Sequence, residues 1–274
     1  MFKKMLLVVL CFTLFLPISG CKKKLPTQPD IPLVTTKSIT ITSSSAILYI
    51  GTTETFTAMA TMSDGSTKSV LGGVWSTDNP SVATVGSGTG QVTIVGSGMV
   101  NILVSYEGKQ GSKAIRGLPN YQGTWSGNYI ITSCNATGDF ILGGFCDGFA
   151  VGTEWPTDLV LTQIEDQVTG RFYLGALSAD AIGPVQTDGL LMLTGLVTSD
   201  PFTIDVLWQA QSTTPGQITG TLDWLVLASS YSGNARVSCT ILSLNRTSTM
   251  AMAQPTRHVM TPTLQDLIRA LLRR

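Results

Sequence analysis

Histidine is nearly missing: the 274 residues include one, His258. It lies in a proline-containing tail, which leaves no material for a histidine-based triad or a multi-histidine metal site. Charge is scarce too. Only 12% of residues are charged, 17 basic against 17 acidic, and the formal net charge is +0. A nucleic-acid binder carries a large basic excess, and none exists here in total. Gly-x-Ser-x-Gly, a phosphate loop, His-Glu-x-x-His and Cys-x-x-Cys are all absent, so the common hydrolase, nucleotide, zinc-protease and redox signatures are missing. No catalytic residue, metal ligand or cofactor is expected. At 43% hydrophobic residues with 12 Pro, the chain is nevertheless rich enough in apolar groups to build cores.

The first 20 residues read as an address. Lys3 and Lys4 precede the apolar run 5–17, which is shorter than the roughly 20 residues of a transmembrane helix. Ile18-Ser19-Gly20-Cys21 follows. Small residues directly before a cysteine resemble the lipobox of bacterial lipoproteins. The resemblance implies that residues 1–20 are removed and that Cys21 is acylated, anchoring the protein in a membrane of the cell envelope. The absence of Asp after Cys21 points to the outer membrane, on its periplasmic or surface face. An ordinary secretory signal is the alternative. Lys22, Lys23 and Lys24 would sit beside anionic headgroups, and Pro26, Pro29 and Pro32 make 21–37 a semi-extended tether.

Residues 38–248 carry seven basic and fifteen acidic side chains, net −8, between basic ends. Within them, 38–117 shows seven short β-branched runs, at 38–43, 46–50, 54–62, 70–75, 81–85, 90–95 and 99–106. Turn signals such as Ser63-Asp64-Gly65 and Asp78-Asn79-Pro80 separate them, as in a β-sandwich. The stretch from Val74-Trp75-Ser76 through Asn79-Pro80-Ser81-Val82-Ala83-Thr84-Val85, with Ile39-Thr40-Ile41 and Gly98-Met99-Val100-Asn101-Ile102, resembles the bacterial Ig-like group 2 family. That resemblance implies a non-enzymatic spacer or adhesion module of a bacterial surface protein. Trp75 is expected to fill the space between the sheets, since no cysteine lies here.

Residues 121–248 give a second series, at 125–133, 158–164, 167–174, 181–185, 190–197, 202–209, 217–227 and 235–244. Short turns pair sequence neighbours antiparallel, and eight such strands close into a meandering barrel; an open two-sheet sandwich is the competing architecture. Gly123-Thr124-Trp125 resembles the Gly-x-Trp that opens lipocalin and calycin barrels. There an arginine after the last strand packs over the tryptophan, a place Arg246 would occupy. The alternating face set by Val237, Cys239 and Ile241 puts Arg246 on the wrong side unless a bulge intervenes. Trp125, Tyr129, Ile131, Phe202, Ile204, Val206, Trp208, Leu222 and Trp224 face inward. Either they fill the barrel or they leave room for one small apolar ligand.

Asp205 and Asp223 share a face on adjacent strands, but it is the solvent face, where carboxylates make poor general acids. Glu154, Asp158, Glu165 and Asp166 lack the density of oxygen ligands that calcium needs. Cys134 and Cys146 bracket a glycine-rich loop and are expected to form a disulfide, with Cys134–Cys239 as the other pairing. Otherwise Cys239 is a buried thiol. Residues 249–274 form a linker and then an amphipathic helix. Thr263-Leu264-Gln265-Asp266 resembles a capping box, and Leu264, Leu267, Ile268, Leu271 and Leu272 follow helical spacing. Its docking surface is the protein's own barrel, a membrane or another protein. The whole reads as an all-β envelope lipoprotein: an Ig-like sandwich presents an eight-stranded barrel to an unidentified envelope or surface partner. Carriage of a small apolar ligand is the alternative.

Overall fold

The computed structural model describes residues 33–175 and 177–249. The leader with Cys21, most of the tether and the amphipathic tail lie outside them.

Ten strands build the first domain: β1 Thr36–Thr42, β2 Ile47–Tyr49, β3 Thr53–Thr55, β4 Thr57–Met62, β5 Thr67–Ser69, β6 Val74–Thr77, β7 Ala83–Val85, β8 Gln91–Ile94, β9 Gly98–Tyr106 and β10 Lys109–Leu118. They form three sheets in the orders β1-β4-β5, β2-β10-β9-β6 and β3-β8-β7. Alternation drives the packing. Along β9, Val100, Ile102 and Val104 turn inward to meet Ile39, Ile41, Phe56 and Trp75. Trp75 is 7% exposed and sits in this core.

Three features depart from the seven-strand expectation. The short strand β5, paired with β4, falls between the predicted runs 54–62 and 70–75. The run 54–62 breaks at Phe56, and its halves β3 and β4 pair in different sheets. The strand β10 has no counterpart among the predicted runs. Its inward positions include Gly111 and Gly117, which leave no apolar alternation to read. A Cβ at Gly117 would lie 2.3 Å from the Gly96 carbonyl oxygen, and one at Gly111 would lie 2.9 Å from the Ile39 side chain. Close backbone approach therefore excludes the side chains that would have announced the strand.

Eight further strands follow: β11 Gly123–Ala136, β12 Glu154–Ile164, β13 Gln167–Leu174, β14 Leu177–Pro184, β15 Leu191–Ser199, β16 Phe202–Thr214, β17 Gln217–Ala228 and β18 Ala235–Ser248. Each pairs antiparallel with the next, and β18 pairs back to β11 to close the barrel. Closure removes both sheet edges and rules out the open sandwich. One alternating set of apolar side chains on each strand faces the lumen, while Thr203, Asp205, Gln209 and Gln211 of β16 face outward, with a minority of apolar residues such as Ile182 and Leu196 among the outward positions. This is the polarity of a barrel standing in water, the reverse of a membrane-spanning one. A short helix α1 (Asp139–Leu142) and a 3₁₀ turn (Phe145–Gly148) connect β11 to β12.

Candidate functional site

The barrel interior is the first place to look for a ligand, and side chains occupy it. Trp125, Tyr129, Trp208, Phe172 and Trp224 are at most 2% exposed. Their rings interlock: Tyr129 meets Trp224 edge-on at 5.7 Å, and Phe172 lies 6.2 Å from Trp208. Phe202, Ile131, Ile204, Val206 and Leu222, all expected inside, are buried there too.

One end is closed by a plug that sequence reasoning read as a glycine-rich loop. The segment from α1 through the 3₁₀ turn buries Phe140, Phe145 and Phe149 at 0–1% exposure. Phe145 stacks on Phe149 at 4.8 Å, and Phe149 meets Trp224 at right angles at 5.9 Å. The Cys134–Cys146 disulfide ties the plug to β11. The Asp139 carboxylate accepts hydrogen bonds from the Ser232 amide (2.6 Å) and hydroxyl (2.9 Å), which lower its pKa and pin the plug to the β17–β18 connection. Three phenylalanines within ten residues were the available signal.

Tyr121 closes the other end. Its hydroxyl donates to the Gly189 carbonyl (2.7 Å) and accepts from the Ser212 amide (3.0 Å). Its own carbonyl accepts from Trp125 Nε1 (2.8 Å), and its amide donates to Gln163 Oε1 (2.6 Å). Arg246 lies over the Trp125 ring at 4.5 Å, and one of its Nη groups donates to the Asn120 carbonyl. A bulge makes this possible. Tyr129 pairs with Ile241 but Asn128 pairs with Ser243, so β18 carries an extra residue and Arg246 shifts to the inward parity of Leu244.

The Ig-like domain is seated against this same end. Leu118 belongs to the barrel core, Tyr49 donates to the Glu165 carbonyl at 3.3 Å, and Arg116 pairs with Asp166 at 2.6 Å. The Arg116 hydrogen bond holds the Asp166 carboxyl below its ordinary value. The plug therefore stands at the far end of the barrel, because β11 runs from Gly123 at the seat to Ala136 at the plug.

Burial holds the Cys239 thiol and the Tyr121 phenol of the barrel in their protonated forms. Burial pushes the Cys239 thiol up to about 12, with the Asp223 charge adding to it, and a protonated thiol is unreactive. Burial likewise raises Tyr121 to about 12. The stability linked to Cys239 and Tyr121 is complete below their ordinary values, 9.0 and 10.0, and is lost as pH rises through about 12. Cys239 is therefore expected to stay unlabelled by a thiol reagent at pH 8 until denaturant unfolds the barrel. Peptide mapping of the labelled protein checks this, and the far-ultraviolet circular dichroism signal should collapse within that alkaline window.

The carboxylates lie elsewhere. Asp205 pairs across from Leu225 and Asp223 from Leu207, so both face outward as diagonal neighbours. With Asp180 and Arg236 they line a groove of about 570 Å³ on the outer face of β14–β18. Glu154, Asp158, Glu165 and Asp166 are strung from the start of β12 to the turn beyond its end, not gathered at one point. Among the described residues, no group of three or more His, Cys, Asp or Glu side chains is placed to hold a metal ion.

Comparison with known proteins bears mainly on the first domain. Residues 35–115 match the bacterial Ig-like domain (group 2). The chain carries that domain, which fits a non-enzymatic protein of the bacterial surface or envelope. Domains 5-6 of the S-layer protein SbsC align with 75% of this chain and 97% of that one, at 16% identity and a TM-score of 0.28, too low to assign a shared fold. No curated protein matches.

Proposed function

We propose that the chain is a lipid-tethered envelope protein whose Ig-like domain acts as a spacer and whose barrel is an interaction or adhesion module working through its outer surface. The observation that carries this reading is the barrel's solid interior: three tryptophans, stoppered by Phe140, Phe145 and Phe149 at one end and by Tyr121 at the other. A carrier in the lipocalin manner needs an open lumen of a few hundred Å³. Here the plug would have to leave first, against a disulfide that binds it to β11. Recognition then falls to the outer surface, at the plug end farthest from the Ig-like seat and along the groove on β14–β18.

Acylation of Cys21 supplies the attachment. One acyl chain holds a protein only marginally, so several chains plus Lys22, Lys23 and Lys24 are what make the anchor firm. The test is fractionation of cells expressing the Cys21→Ser variant. We expect the protein to move from the membrane pellet to the soluble envelope fraction; equal retention of variant and wild type overturns the tether. Native pull-down of the full-length variant from envelope extract then identifies the partner, and retention of proteins rather than small lipids supports the module.

A further inference from the structure

The groove on β14–β18 has an apolar floor and a charged margin. Ile182 and Leu196 are 59% and 52% exposed, and Leu207 and Leu225 beside them are half-buried. Side chains of this kind gathered in a concavity mark a docking surface. Asp180, Asp205 and Asp223 stand among them against Arg236, a net charge of −2, with Arg171 at the rim 3.8 Å from Asp180.

We infer that the occupant is residues 263–274 of the same chain, which lie outside the described residues. Four properties match. Leu264, Leu267, Ile268, Leu271 and Leu272 fall on one face at helical spacing, which supplies an apolar counterpart to the floor. Arg269, Arg273 and Arg274 against Asp266 give the segment a net charge of +2, opposite to the groove. Twelve residues of helix are about 18 Å long, and the five strands β14–β18 span about 19 Å across their hydrogen bonds. Reach is sufficient as well. The fourteen residues 249–262 extend to about 46 Å, and the path back along β18 from Ser248 to Arg236 is about 40 Å.

The physical need is mutual. A twelve-residue helix is marginal in water without a surface to bury its apolar face. The groove, for its part, leaves leucine and isoleucine in solvent between carboxylates that favour a cationic partner. The tail thus covers the groove, and a partner that uses this face must displace it.

Photo-crosslinking of the full chain tests this. Leu271→p-benzoylphenylalanine is irradiated in dilute solution with vesicles of phosphatidylethanolamine and phosphatidylglycerol, and crosslinks are mapped by mass spectrometry. The expected products are intramolecular, joining the tail to peptides that hold Leu196, Leu207 or Leu225. Asp205→Arg with Asp223→Arg should cut their yield several-fold, and adding Arg269→Glu with Arg273→Glu should restore it. Asp205 and Asp223 face outward, so an unchanged Tm shows that the barrel survives these exchanges. Crosslinks between two copies, crosslinks chiefly to lipid, crosslinks to the Ig-like domain, or none in the unaltered background would each overturn the assignment.

Discussion

Trp224→Ala is expected to destabilise the protein by about 3–5 kcal/mol, the range for removing a fully packed aromatic side chain. Trp224 is 2% exposed and is held from two sides, by Tyr129 of β11 and Phe149 of the plug. Removing the indole opens a cavity where β17, β11 and the plug meet, and neither strand can collapse into it without breaking ladder hydrogen bonds. Among the described residues its Nε1 has no hydrogen-bond partner, as is also true of Trp208. An unpaired indole N–H costs part of what the ring contributes, so the expected loss lies toward the lower half of that range. Denaturant titration reads the change. A loss under about 1 kcal/mol would mean that the indole borders open space and not a packed core.

Breaking the Cys134–Cys146 bond should have the second largest effect. The cysteines are twelve residues apart, and closing a loop of that size removes about 3 kcal/mol of unfolded-state entropy in the chain-entropy model. The native side matters as much, because the bond holds in place the segment that delivers three phenylalanines to the barrel mouth. Cys134→Ser with Cys146→Ser is therefore expected to lower the Tm by several degrees and to raise binding of a hydrophobic dye as the plug frays. Calorimetry and dye fluorescence check the two effects. Unchanged values for both would show that the plug is held by its rings and the Asp139–Ser232 contacts alone.

The strands were legible in the sequence because each barrel strand alternates apolar and polar residues against short turns. Runs such as Phe202, Ile204, Val206 and Trp208 identify their own inward face. What stayed hidden did so for local reasons. The last strand of the Ig-like domain escaped because Gly111 and Gly117 occupy positions where close contact allows no side chain. The plug reads as a loop in sequence because Gly138, Gly143 and Gly144 are turn signals, although they serve to fold Phe140 and Phe145 back into the barrel. The position of Arg246 turned on a bulge between Ile241 and Leu244, which no alternation count locates in advance. Of the outer groove, only the shared outward face of Asp205 and Asp223 was legible. The groove's apolar and charged side chains come from five strands, and each strand alone resembles an ordinary solvated face.

The reading of the barrel as a solid module that works from its outside is tested most directly by the mass of the native protein. Full-length chain carrying Cys21→Ser, recovered from the soluble envelope fraction, is weighed by native mass spectrometry and again after denaturation. Coincident masses are the expected result, since packed rings leave no room for a guest. A native mass that exceeds the denatured one by a single small apolar molecule, held in stoichiometric amount, would contradict the reading and make the barrel a carrier.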